Sequence, residues 1–136
     1  MADMERKIVD TTDLKVGKYV LIDDEPCRIV DIQKSKPGKH GEAKIRVEAI
    51  GIFDDRKRSI LKPAGHKVEV PIINKKTGQV TTMVGDQVQL MDMESYEVFE
   101  IPLPQEDEIK SMLKEGKEVL YMQAGNRRKI MQAKGE

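Results

Sequence analysis

Apolar and polar residues alternate with a period of two along much of this 136-residue chain, the pattern of strands with one buried and one wet face. The clearest run is residues 43–50. Ile45, Val47 and Ala49 fall on one face, and Lys44, Arg46 and Glu48 on the other. Upstream, residues 19–22 and 27–32 are rich in β-branched side chains, and Asp23-Asp24-Glu25-Pro26 connects them. That spacing predicts a hairpin. Phe53-Asp54-Asp55 turns the chain, residues 56–61 form a short or edge strand, and Pro63-Ala64-Gly65 closes the unit. Several short strands without a helical period predict a small β-barrel.

In residues 68–73 a proline, Pro71, interrupts a strand pattern. Proline cannot donate to a ladder, so this is an edge, a strand start or a linker. A boundary near Val70 divides the chain into domains 1–69 and 70–136. In the second domain, Asn74-Lys75-Lys76-Thr77-Gly78 reads as a hairpin loop. Strands follow at 80–84 and 87–91 around Gly85-Asp86, and at 95–101, ended by Pro102-Leu103-Pro104. Residues 105–114 predict a helix. Pro104 suits its first turn, Glu106, Asp107 and Glu108 sit at its positive end, and Ile109, Met112 and Leu113 share one face. Gly116 is a natural stop. Residues 118–123 and 127–132 then form a hairpin around Ala124-Gly125-Asn126. Strands, one helix and two more strands is the order of an OB-type barrel.

Charge singles out one connection. The chain is neutral, with 24 basic and 24 acidic residues, yet residues 34–46 hold Lys34, Lys36, Lys39, Lys44, Arg46 and His40 against Glu42 alone. The segment joins two predicted antiparallel strands. Lys36-Pro37-Gly38-Lys39 fits a type II turn, because proline presets φ and glycine accepts positive φ. Gly41 offers a second tight bend. Lys39 therefore stands at a narrow tip, and Lys44 and Arg46 extend its basic surface along an exposed strand face. Residues 1–70 hold 15 basic and 13 acidic side chains, and 71–136 hold 9 and 11, which places the basic surface on the first domain.

Composition narrows the function classes. No apolar run approaches the ~20 residues that span a bilayer, no apolar leader follows Met1, and the single cysteine, Cys27, has no internal disulfide partner. These predict a cytoplasmic protein without a membrane partner. A phosphate-binding P-loop is excluded, since Gln33 stands where its first glycine is required and His40 where Ser or Thr is. His40 and His66 lack the neighbours of a metal or catalytic site. The expectation is no catalytic residue, no metal and no enzyme activity. Five aromatics are too few for a base-stacking platform, and the methionines are expected to fill core gaps. Arg127-Arg128-Lys129 reads either as an RNA-phosphate contact or as a solvated strand. These features alone allow a general RNA-binding or RNA-chaperone module of two barrels.

A narrower reading comes from Gly38-Lys39-His40-Gly41 followed by Ala43-Lys44. This stretch resembles the modification loop of the translation initiation factor 5A family in its archaeal form, with Pro37 and Glu42 where eukaryotic members have threonine and histidine. The resemblance extends through the 13–31 opening, Pro71 and the 105–114 segment. It is also similar to the first two domains of bacterial elongation factor P. The resemblance implies an SH3-like first domain and an OB-fold second domain. It implies conversion of Lys39 to deoxyhypusine or hypusine, with the aminobutyl group transferred from spermidine by deoxyhypusine synthase. Expected partners are the ribosome and its rRNA near the exit site, and peptidyl-tRNA. Lys34, Lys36, Pro37, Gly38, His40, Gly41, Lys44 and Arg46 would form the contacting loop around Lys39. No other cofactor is implied. The expected role is promotion of elongation at stalling sequences such as proline runs.

Overall fold

The computed structural model describes residues 4–35 and 43–134. Its first compact unit spans Met4–Ile72, and the second begins at Ile73. Strands β1 (Arg6–Asp10), β2 (Tyr19–Ile22), β3 (Glu25–Lys34), β4 (Lys44–Gly51), β5 (Lys57–Pro63) and β6 (Lys67–Pro71) build the first unit, with a 3-10 turn at Thr11–Asp13. An antiparallel sheet runs in the order β2-β3-β4-β5, and β1 pairs with β6 in a separate ribbon. The β1 strand has no clear period in the sequence. Its pairing carries Val70 and Pro71, near which the sequence suggested a boundary, into that ribbon opposite Lys7 and Arg6.

Alternation is realised in β4, where Ile45, Val47 and Ala49 are buried and Lys44 and Arg46 exposed. The three inward residues join Val20, Ile22, Cys27, Ile29, Val68 and Val70 in one apolar cluster. Each such aliphatic side chain contributes about 1.5–3 kcal/mol when fully buried, which makes the sheet a firm support for what it carries at its end. The β2–β3 turn is tighter than expected. Asp23 and Asp24 alone form it, at φ 54° and 62°, the positive-φ pair of a two-residue type I′ hairpin, which Asp tolerates. Asp24 also pairs with Arg6 at 3.0 Å, tying the turn to the ribbon.

At the far end of β4, Gly51 leaves room for an ion pair. Arg58 Nη1 and Nη2 donate to Asp54 Oδ1 and Oδ2 at 3.1 and 2.8 Å, and the Arg58 guanidinium holds the Asp54 carboxyl at about 2. A Cβ on Gly51 would sit 2.0 Å from Asp54 Oδ1 and 2.9 Å from Arg58 Nη1. Gly51→Ala should break this fork and lower stability by about 1–3 kcal/mol. Urea unfolding of the variant checks this, and an unchanged midpoint would refute it.

The second unit holds β7 (Asn74–Val84), β8 (Gln87–Asp92), β9 (Val98–Pro102), α1 (Asp107–Lys110), β10 (Glu118–Ala124) and β11 (Arg127–Ala133). One antiparallel sheet runs β11-β10-β7-β8-β9, with α1 between β9 and β10 in sequence, the OB order. Its core gathers Val80, Val88, Leu90, Ile101, Leu113, Val119, Tyr121 and Ile130. The fold is thus mainly β: two small β domains, the second an OB fold.

Three expectations are corrected here. Residues 74–78 are not a hairpin loop; they begin the eleven-residue β7, with Lys76, Thr77 and Gly78 opposite Tyr121, Leu120 and Val119. Gly78 serves close packing and not a turn, since a Cβ there would meet the Tyr121 ring at 3.3 Å and the Met91 carbonyl at 3.4 Å. The helix of 105–114 shrinks to one α-helical turn, Asp107–Lys110, followed by i→i−3 bonds from Met112 and Leu113. Only Leu113 of its apolar face is buried, while Met112 stays 36% exposed. So short a segment has too little packing to offset the cost of helix nucleation. The strand of 95–101 starts only at Val98, because Asp92 captures the residues before it. Its Oδ1 accepts from the N–H groups of Glu94 and Ser95 at 2.9 and 2.8 Å. The methionines also depart from expectation. Met122 is buried, but Met83 and Met112 are exposed, Met91, Met93 and Met131 are half-buried, and none joins the apolar cluster.

Candidate nucleic-acid interface

The antiparallel pairing of β3 with β4 sets the geometry of the basic hairpin: Lys34 faces Ile45, Gln33 faces Arg46, Ile32 faces Val47 and Asp31 faces Glu48. Ser35 closes the ladder. Its N–H donates to the Lys44 carbonyl at 2.9 Å, and its Oγ accepts from the Lys44 N–H at 3.1 Å. The returning foot is held from its other side as well, the Ala64 N–H donating to the Ala43 carbonyl at 2.8 Å. The segment that contains Lys39 therefore leaves and re-enters a sheet whose two feet are fixed by backbone bonds. Lys36, Pro37, Gly38, Lys39, His40 and Gly41, with the expected type II turn, lie outside the described residues.

Lys34, Lys44 and Arg46 are all exposed. The β4–β5 register adds a cation the sequence reading missed. Lys62 lies opposite Ile45, as Lys34 does on the other side, and Leu61 lies opposite Arg46. A lysine between Leu61 and Pro63 gives no sign of this placement, which only strand register creates. Among the described residues, no ion-pair partner exists for Lys34, Lys44, Arg46 or Lys62. Asp31 and Glu48 form the next outward pair beyond Arg46, and Asp31 Oδ2 accepts from Gln33 Nε2 at 3.2 Å. Cations thus gather at the loop end of the sheet and a carboxylate pair follows them.

The remaining candidates are placed away from chemistry. Cys27 is fully buried, its Sγ donates to the Glu25 carbonyl at 3.3 Å, and burial pushes the thiol up, which withholds the thiolate a nucleophile needs. His66 is exposed, and its carbonyl accepts from the Thr11 N–H at 2.8 Å. Among the described residues no group of His, Cys, Asp or Glu could hold a metal ion, and no helix is long and apolar enough to cross a membrane.

In the second unit, Arg128 is committed internally. Its guanidinium lies 4.0 Å above the Phe99 ring centroid and its Nη2 donates to Glu97 at 3.4 Å. Phe99 in turn packs against Tyr121 with ring centroids 5.2 Å apart. Arg128 is therefore a poor phosphate contact. The outward positions of β8 and β9 are Gln87, Gln89, Met91, Val98, Glu100 and Pro102, none of them cationic. Of the five aromatics only Tyr96 is well exposed, at 68%. Neither cations nor a stacking surface line the outward positions of these two strands, so the basic foot in the first unit is a better electrostatic match for a polyanion than they are.

Sequence comparison assigns a class to each half. Residues 6–66 match the family described as translation initiation factor 5A-like, N-terminal. Residues 72–134 match the one described as eukaryotic elongation factor 5A hypusine, DNA-binding OB fold. Full-length relatives agree. Translation initiation factor 5A of Methanothermobacter thermautotrophicus is 54% identical over 97% of this chain and 100% of its own, and that of Pyrococcus furiosus is 56% identical over 94% of each. Among solved structures, the factor 5A of Methanococcus jannaschii superposes with a TM-score of 0.88 at 49% identity, covering 95% of both chains. A factor 5A family protein of Naegleria fowleri gives 0.75 at 30% identity, covering 96% of this chain and 99% of its own. The chain belongs to the translation initiation factor 5A family, a family of hypusine-bearing translation factors.

Proposed function

We propose that the protein binds the ribosome beside the exit site and, through Lys39 carrying hypusine or deoxyhypusine, steadies peptidyl-tRNA so that peptide bonds form at stalling sequences such as proline runs. The observation that carries this reading is the pairing of the Gly38-Lys39-His40-Gly41 sequence with a rigid, cation-collared foot in a member of the factor 5A family. A narrow tip enters a cleft between RNA strands that a folded barrel cannot. An aminobutyl extension on the Lys39 nitrogen, taken from spermidine by deoxyhypusine synthase, adds roughly 6 Å of reach by standard bond lengths and a second positive charge. Lys34, Lys36, Lys44 and Arg46 neutralise phosphates and so contribute salt-sensitive affinity. The factor acts by positioning the reacting tRNA end, with no acid–base group of its own in the step.

The test is the mass of the protein purified from its own host. The intact mass should exceed the sequence mass by an aminobutyl group, with or without a hydroxyl, and fragmentation should place the addition on the peptide containing Lys39. An unmodified native protein, or an addition elsewhere, refutes the mechanism.

A further inference from the structure

The row Lys34–Ile45–Lys62 runs across three adjacent strands at the foot of the basic hairpin. Strand spacing puts the two lysine Cα atoms about 10 Å apart on either side of Ile45. All three side chains share one face, yet Ile45 is 2% exposed while both lysines are exposed. Ile45 therefore caps the apolar cluster at this end of the sheet, and the two ammonium groups stand at its rim. Lys44 and Arg46 occupy the opposite face of the same foot. No described carboxylate pairs with any of the four, although acids and bases balance over the whole chain.

Down the strands the field changes sign. Asp31 and Glu48 lie directly across from each other on the outward face, one outward position below Gln33 and Arg46. Two carboxylates facing across a strand pair repel one another, and together they repel a phosphate chain that follows the outward face, that of Lys44 and Arg46, away from the loop. Lys57, at the far end of β5 opposite Ile50, is cut off from the foot by this band.

We propose that Lys62 is a nucleic-acid contact of this protein. One RNA backbone crosses the foot of the hairpin perpendicular to its strands, with phosphates on Lys34 and Lys62 at the rim of the Ile45 face, and the next row on that face, Ile32–Val47–Ile60, offers it no cation. The inference rests on the proposed RNA-facing role of the hairpin and adds to it a residue and a direction. It does not depend on whether Lys39 is modified.

Binding of the full chain to bulk tRNA, titrated between about 50 and 200 mM salt, reads the number of phosphates neutralised. Lys62→Gln and Lys34→Gln should each reduce the slope of log affinity against log salt by about 0.7–0.9. Lys57→Gln should leave the slope unchanged. Circular dichroism confirms that each variant is folded, as expected for exposed positions. If Lys34→Gln lowers the slope and Lys62→Gln does not, the crossing path is refuted while the hairpin's RNA role stands. If neither changes it, both readings fail at the described foot. An equal loss for Lys57→Gln and Lys62→Gln would show a diffuse charge effect and refute the crossing path.

Discussion

Lys39→Arg should abolish support of translation through proline runs while leaving both β units folded. Arginine keeps the positive charge and nearly the same length. What it removes is the primary amine, whose nitrogen can lose a proton and accept an alkyl group, whereas guanidinium stays charged and delocalised. The substitution therefore isolates covalent extension from charge. Position 39 lies between two feet that are fixed by Ser35, Lys44, Ala43 and Ala64. The unfolding midpoint should thus move by less than about 0.5 kcal/mol, as for surface substitutions in general. A reconstituted translation assay with a proline-run reporter should show at least about a tenfold loss. Lys36→Arg, which preserves charge at the neighbouring site, should retain most activity. Equal activity of wild type and Lys39→Arg would remove modified Lys39 from the mechanism.

The second large effect is on stability and centres on a buried pair in the second unit. Tyr121 is 1% exposed and Asp92 3%. Tyr121 Oη donates to Asp92 Oδ2 in a short hydrogen bond, and Oδ1 takes the Glu94 and Ser95 N–H groups. Burial alone would push the Asp92 carboxyl up. The hydrogen bonds from Tyr121, Ser95 and Glu94 outweigh it and hold the group at about 2, against 3.8 in an unstructured chain. The same burial and the same bond push the Tyr121 phenol well above its ordinary range. A depressed acid stabilises the fold above its unfolded value and ceases to do so as pH falls through its folded value. This unit should therefore lose about 2 kcal/mol between pH 5 and pH 2 through Asp92 alone.

Tyr121→Phe leaves a buried carboxylate oxygen without its donor and should cost about 2–3 kcal/mol at pH 7. Asp92→Ala also strips the turn of its cap and should cost at least as much. In a domain of this size such a loss lowers the unfolding temperature by about 10 °C or more. Calorimetry across pH gives the decisive comparison, because the Asp92→Ala protein should have lost the acid-sensitive part as well. If its stability falls between pH 5 and pH 2 as steeply as the wild type's, Asp92 does not carry the linkage.

Much of this architecture was legible without coordinates, and the reason is local. A strand's two faces are written at every second residue, so β4 and the β8, β10 and β11 segments could be read directly. Turns that need positive φ declare themselves through Gly85 and Gly125, at φ 60° and 63°. Gly78 carried the same letter for a different reason, a close approach to Tyr121. Nothing within five residues distinguishes the two uses, and the loop misassigned to residues 74–78 follows from that. The overlong helix has the same origin. Its amphipathic spacing was real, but whether a helix persists depends on what its apolar face meets: Leu113 is buried in the core, Ile109 only packs at its edge and Met112 stays exposed.

What the sequence determined by itself is the strand-rich character, the OB order of the second half and the family-specific stretch around Lys39, because each depends on residues close together in the chain. Only the tertiary structure decided the rest. It joined β1 to β6 across some sixty residues of sequence, buried Asp92 beneath Tyr121 and committed Arg128 to Phe99. It also brought Lys62 level with Lys34 on either side of Ile45. These are consequences of which strand lies beside which and in what register. A one-residue slip in β5 would turn Lys62 to the opposite face of the sheet.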